Sequence, residues 1–146
     1  PELADRNQRL GAFLRYHTSL ETRLSELAIL VVGRHFDCQV ECTLHEGFAR
    51  EAGLEDEIID ALRNRQKPTD LGPAENAVYA YTTELLARGR VGDRTFATAH
   101  SAVGDQVVVE LTSLIGHYVH VSMTLNAFEV PLPPDVEPTL TDMPAR

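Results

Sequence analysis

"HFDCQVECTLHEGFAREAG", residues 35–53, decides the fold. Its apolar side chains recur at helical spacing, and it ends on Gly53, the residue type that closes a helix in the left-handed conformation. Cys38, Glu41, Cys42 and His45 stand at i, i+3, i+4 and i+7, which predicts that all four share one face of a helix over 35–53. On a helical wheel, Gln39, Thr43, Glu46 and Arg50 gather on the other side as the solvent face. The first four share their arc with Phe48, Ala49 and Ala52, so an acid and an imidazole fall where a core belongs. A buried carboxylate without a partner is costly, and His45, one turn from Glu41, is within reach to be that partner.

Such a pair reads in two ways. It is either a structural Glu–His pair at a wet helix edge or a general acid/base pair in a cleft, since histidine titrates near neutral pH. The cysteines are equally open. A buried free cysteine is a small hydrophobe more often than a nucleophile, and reactivity needs a lowered thiol pKa. Cys-x3-Cys-x2-His is not a standard zinc spacing, so no metal site is expected.

Outward from this stretch, the pattern is helical everywhere and no segment reads as a strand. Residues 4–17 carry Leu10, Phe13 and Leu14 at helical spacing. Residues 22–36, capped by Thr22 or Ser19, are apolar around most of their circumference from Leu24 to Val32 and predict a central helix. Residues 54–65 are acidic at the start and basic at the end, as a helix dipole favours. After the loop 66–73, Pro73 opens a helix that stops at Gly89. Asp93 is expected to cap the next, which ends at Gly104, and the longest runs over roughly 105–128. The expectation is an all-α bundle of six to seven helices in one domain, 1–130. A proline-rich tail, 131–146, follows, either extended or disordered or laid on a neighbouring subunit.

Composition narrows the function classes. The chain has 146 residues, 43% of them hydrophobic, enough to bury one core. A net charge of −9 with no basic patch argues against nucleic-acid binding. The longest apolar run, residues 28–33, is far too short to span a bilayer. The polar opening PELADRNQRL is unlike a signal peptide, and two cysteines four residues apart make no secreted disulfide framework. A cytoplasmic protein is expected, with a small molecule as its substrate and neither nucleic acid nor membrane as a partner.

Three further features attract attention. Glu26 lies in the most apolar helix, where a carboxylate has few wet edges. Glu110, Ser113, His117, His120 and Thr124 form a stripe on the last helix that suits a solvated face. His117 and His120 alone do not make a metal site. Arg34 and Arg23, on the neighbouring helix, are the candidates to meet an anionic substrate.

RLSELAILVVGRHFDCQVECTLHEGFAREAGLEDEIIDALR, residues 23–63, resembles the core motif of the carboxymuconolactone decarboxylase family, which includes alkylhydroperoxidase D. The similarity continues through LIGHYVHVSMTLNAFEVPLP, residues 114–133, and spans roughly 10–133. It implies an all-α fold assembling as a homotrimer or homohexamer, with active sites near subunit contacts. In the peroxidase branch the motif runs glutamate, twelve positions to cysteine, x-x-cysteine, x-x-x-histidine. Glu26, Cys38 and His45 match, but Glu41 stands where the second cysteine belongs, and Cys42 is displaced by one residue. The decarboxylase-like branch has a glutamate four residues before the histidine, as Glu41 and His45 stand here. The resemblance further implies that Glu26 serves the histidine or the cysteine as proton acceptor or support. It makes Tyr118 and Asn126 pocket walls, with His117 and Arg34 as further substrate-binding candidates.

Three functions follow from it. One is cofactor-independent decarboxylation of a small carboxylated lactone or related unsaturated acid, with His45 as acid and Glu41 setting its tautomer. The second is a thiol peroxidase using Cys38 and Cys42. The third is a non-catalytic oligomeric family member with a sealed Glu41–His45 face.

Overall fold

The structure, a computed structural model, describes residues 1–143. It has seven helices in the order α1 Glu2–Tyr16, α2 Thr22–His35, α3 Gln39–Glu51, α4 Asp56–Arg63, α5 Pro73–Arg88, α6 Asp93–Val103 and α7 Asp105–Ala127. Among the described residues there is no strand, and no helix is long and apolar enough to cross a membrane.

The apolar run dictates the centre. Every residue from 24 to 34 is buried, and α2 packs against α1, α3, α4, α5 and α7. Leu27, Ala28 and Val32 are fully enclosed, together with Ile58 and Ile59 of α4, Val78 of α5 and Leu111 of α7. Removing such side chains from water supplies roughly 1.5–3 kcal/mol apiece for the larger ones. Arg23 pins the start of α2 to Glu55 and, at 2.5 Å, to Glu75 of α5.

The stretch 35–53 is not one helix from its first residue. Asp37 takes a left-handed φ of 50°, which aspartate tolerates better than most residues. The Cys38 amide then donates back to the Gly33 carbonyl at 2.8 Å, closing α2. Cys38 is therefore the N-cap of α3, on extended backbone, and not a member of the predicted helix face. The other end follows expectation: Gly53 has φ +84°, and Gly53 and Leu54 donate to the Arg50 and Ala49 carbonyls, both at 2.9 Å. Thr22 and Asp93 each open a helix from inside it, one residue beyond the cap that Glu21 and Gly92 occupy.

The predicted solvent face of α3 is partly covered: Arg50 is exposed, Gln39 and Thr43 are half-buried, and Glu46 is buried. Glu46 is 3% exposed and receives Arg63 of α4 through Nε (2.9 Å) and Nη2 (2.6 Å). The tail residues 131–143 have no regular structure and return onto this chain's own α3. There Thr139 donates its amide to Thr43 Oγ1 at 3.2 Å and Leu140 is buried. Residues 144–146 of the tail lie outside the described residues.

Candidate active site

A carboxylate at the heart of an apolar helix must be paired, and Glu26, 1% exposed, is paired twice. Arg15 of α1 donates through Nη2 to Oε1 at 3.0 Å, and Nδ1 of His45 lies 2.6 Å from Oε2. A carboxylate ion-paired with arginine is an acceptor, so Nδ1 is the donor and carries the ring proton. Nε2 is then the ring nitrogen left to exchange a proton. Two aromatic edges fix the ring: Tyr118 of α7 at 5.2 Å and 89°, and Phe48 at 5.4 Å and 73°.

Nε2 of His45 faces Glu41 Oε2 across 3.4 Å, an electrostatic contact longer than a good hydrogen bond. That oxygen is buried and makes no hydrogen bond. Burial pushes the Glu41 carboxyl up from its ordinary value. The charges of His45 and Arg15 oppose that rise, and Glu26 adds to it. Glu41 is thus the group in this cluster set up to hold a proton, one imidazole width from Glu26.

The cluster forms one wall of a cleft of about 450 Å³ between α1, α3 and α7. Gly11, Arg15 and Tyr16 come from α1, Glu41 and His45 from α3, and His117 and Tyr118 from α7. The Arg15 guanidinium lies between the rings of Tyr16 (4.9 Å) and Phe48 (4.6 Å), which hold its plane. The arrangement places a carboxyl group, an imidazole and a guanidinium around one small cavity.

The cysteines lie behind this wall. Cys38 and Cys42 are free thiols, 1% and 3% exposed, and neither lines the cleft. Cys42 Sγ fills the space where α3 passes Gly33 of α2, 3.1 Å from where a side chain on that glycine would begin. Burial pushes both thiols up, Cys42 further, with Cys38, Glu46 and Glu41 adding and Arg34 opposing. A reactive thiolate needs the reverse.

Two other candidates go elsewhere. Arg34 is buried and spent on the Asp37 carboxylate, on Asp142 at 2.5 Å and on the Arg63 carbonyl at 2.7 Å. Asn126 donates to the Phe36 carbonyl at 2.8 Å, tying α7 to the α2–α3 connection, and does not line the cleft. Sequence reasoning missed Arg15. Its signal was indirect: a glutamate inside α2 needs a cation, and α1 supplies one only through tertiary packing. Among the described residues no group of three or more His, Cys, Asp or Glu side chains could hold a metal ion.

Residues 1–84 match the model of the "Carboxymuconolactone decarboxylase family". Among solved structures, the chain is similar to a crystal structure of a protein of unknown function from Agrobacterium tumefaciens, described as an AhpD antioxidant-defence candidate. The two share 21% identity over 91% of this chain and 92% of that one, with a TM-score of 0.82, a likeness of fold. A search of curated protein sequences finds no match to the chain.

Proposed function

We propose that this chain, which belongs to the carboxymuconolactone decarboxylase family, is a cofactor-independent acid–base enzyme that decarboxylates a small carboxylated lactone or related unsaturated acid. The observation that carries the reading is the fixed orientation of His45, with Nδ1 on Glu26 at 2.6 Å and Nε2 toward Glu41 at the cleft.

In the reaction, the bond between the substrate's ring carbon and its carboxylate breaks. Carbon dioxide leaves, and the electron pair passes into the conjugated lactone carbonyl as an enolate. Protonation at carbon restores neutrality, so one proton is consumed per carbon dioxide released. Protonated Glu41 supplies that proton, directly or through His45 Nε2, and is recharged from solvent. Glu26 never transfers the proton. It keeps it on Nδ1, and its carboxylate offsets the positive charge that His45 acquires if it relays. Burial of both thiols behind the cleft wall supports acid–base chemistry over a peroxidase.

We further propose that the protein acts as a homotrimer or homohexamer. Leu3, Leu10 and Phe13 of α1 are 75%, 49% and 52% exposed, an apolar stripe on the helix that forms the cleft's outer wall. A monomer mass in light scattering would contradict this.

The reaction is tested by incubating the protein with a panel of carboxylated unsaturated lactones in deuterium oxide. Carbon dioxide release with one deuterium, on one face, at the vacated carbon is expected. Failure across the panel, or deuterium on both faces equally, counts against the reading.

A further inference from the structure

Two tyrosines of the bundle are almost equally buried, Tyr81 at 4% and Tyr118 at 5% exposed. Tyr81 follows the rule for a buried phenol: its Oη shares a hydrogen bond with Thr112 Oγ1 at 2.8 Å. The Tyr118 hydroxyl makes none with any described residue. Nor is it one of the sealed polar atoms that lack a partner, which among the described residues are Arg15 Nε, Glu41 Oε2, His117 Nδ1 and Ser122 Oγ. Its remaining surface therefore opens on the cleft that Tyr118 lines. A phenol that neither bonds the fold nor is sealed inside it keeps its hydrogen bond for what enters that cleft.

The ring is held and the surroundings of its hydroxyl are charged. Tyr118 stands edge-on to His45 at 5.2 Å and 89° and to His117 at 5.3 Å and 86°, so two imidazoles fix its plane. The charges that act on the hydroxyl are those of Arg15, Glu41 and Glu26, and Arg15 feels the phenol in turn. Arg15, Glu41 and His45 line the same cleft. Burial pushes the phenol up from its ordinary value, with Arg15 opposing and Glu41, Glu26 and Tyr16 adding, so the group stays protonated and is a donor. Glu41 and His45 are committed to moving the proton, and Glu26 to holding Nδ1. None of them serves the carbonyl oxygen that takes the electron pair when carbon dioxide leaves. That oxygen becomes anionic in the transition state. A fixed donor beside a cation, in a cleft whose walls include Ala12 and Val121, acts on it far more strongly than water does.

We propose that the Tyr118 hydroxyl is the oxyanion donor of the reaction: it donates to the lactone carbonyl oxygen as that oxygen becomes an enolate, with the Arg15 guanidinium supplying positive charge beside it. The phenol keeps its proton throughout. The bond to the departing carboxylate is the one that breaks, its electron pair ends on the carbonyl oxygen, and the proton that later reaches carbon comes from Glu41. Tyr118 is thereby a catalytic residue and not only a wall against which His45 rests. The inference rests on the decarboxylation proposed above, but binding of an enolate at the hydroxyl is separable from turnover.

The test uses tetronate, the stable enolate anion of a lactone, and its neutral methyl ether, each titrated calorimetrically into the full chain. Wild type is expected to bind tetronate at least about tenfold more tightly than the ether, through a charge-assisted hydrogen bond. Tyr118→Phe keeps both ring contacts and removes a hydroxyl that bonds nothing in the fold. It is expected to unfold at the wild-type midpoint, to lose about tenfold on tetronate and to bind the ether unchanged. Tyr81→Phe removes the other buried hydroxyl, which does not line the cleft, and is expected to bind both probes as wild type does. On a lactone that is turned over, Tyr118→Phe is expected to lower kcat by about 10²-fold with KM within about twofold. A raised KM at unchanged kcat would make the hydroxyl a ground-state contact and overturn the assignment. So would equal affinity of wild type for the two probes, no binding of tetronate by about 10 mM, or a tetronate affinity that Tyr118→Phe leaves unchanged or that Tyr81→Phe weakens as much. Tetronate binding that depends on Tyr118, in a protein that decarboxylates nothing, would sink only the proposed reaction.

Discussion

Nδ1 of His45 on α3 lies 2.6 Å from Oε2 of Glu26, the buried carboxylate of the central helix α2. That contact puts histidine chemistry under the control of the fold's most enclosed segment. The second oxygen of Glu26 takes Arg15 at 3.0 Å, so three helices meet on one carboxylate. Nε2 is directed at Glu41, where an oxygen without a hydrogen bond waits.

Glu26→Gln tests this orientation. The amide no longer dictates which ring nitrogen of His45 carries the proton, and it leaves Arg15 without its carboxylate. Turnover is expected to fall by about 10²–10⁴, while KM changes little. Stability is expected to fall by about 1–3 kcal/mol, read from denaturant unfolding. Turnover near that of wild type would show that Glu26 is only a core pair.

Glu41 makes a pH statement. Burial raises its carboxyl above the ordinary 4.5. The folded state then binds that proton more tightly than the unfolded chain does. The associated stability is complete below the ordinary carboxyl value and is lost as pH rises through the raised one. Glu41→Gln removes the titration. Its unfolding profile is expected to be flatter than that of wild type above the ordinary carboxyl value, where wild type loses this contribution. Turnover should nevertheless drop by about 10²-fold or more, because amide nitrogen donates no proton to carbon. Parallel stability profiles for the two proteins would remove Glu41 as the proton store.

The thiols give an independent check. Cys38 and Cys42 are 1% and 3% exposed, and burial pushes both thiols up. In the native protein both are expected to react with a thiol reagent and with hydrogen peroxide no faster than an ordinary buried cysteine. Full reactivity should return on denaturation. A fast two-dalton loss of mass on peroxide treatment, abolished by either Cys38→Ser or Cys42→Ser, would show a working disulfide pair.

The helices were legible in the sequence because their signals are local. The apolar run of α2, Pro73 at the head of α5, and Gly53 and Gly89 behind their helices each act within a few residues. Glu41 and His45 were legible as a pair for the same reason, being one turn apart. The break at Asp37 was not, because a left-handed aspartate leaves the helical periodicity of the residues around it intact. Arg15 was not legible either, since its partner Glu26 lies eleven residues away and meets it only through packing of α1 on α2. A wheel also cannot show what covers a helix from outside, which is why Glu46 looked solvated.

Glu46 gives the corresponding prediction. Arg63 reaches both its oxygens, at 2.9 and 2.6 Å, and holds α4 against α3. Glu46→Ala is expected to cost about 2–3 kcal/mol, where a surface position would cost almost nothing. An unfolding midpoint equal to that of wild type would return Glu46 to the solvent face.

The most direct measurement compares carbon dioxide released from the best lactone substrate by wild type, His45→Gln and the Cys38→Ser/Cys42→Ser double variant. Release by wild type and the double variant at similar rates, and its loss in His45→Gln, is the expected result. Release that survives in His45→Gln, or that disappears with the cysteines, would contradict acid–base catalysis at the Glu26–His45–Glu41 cluster.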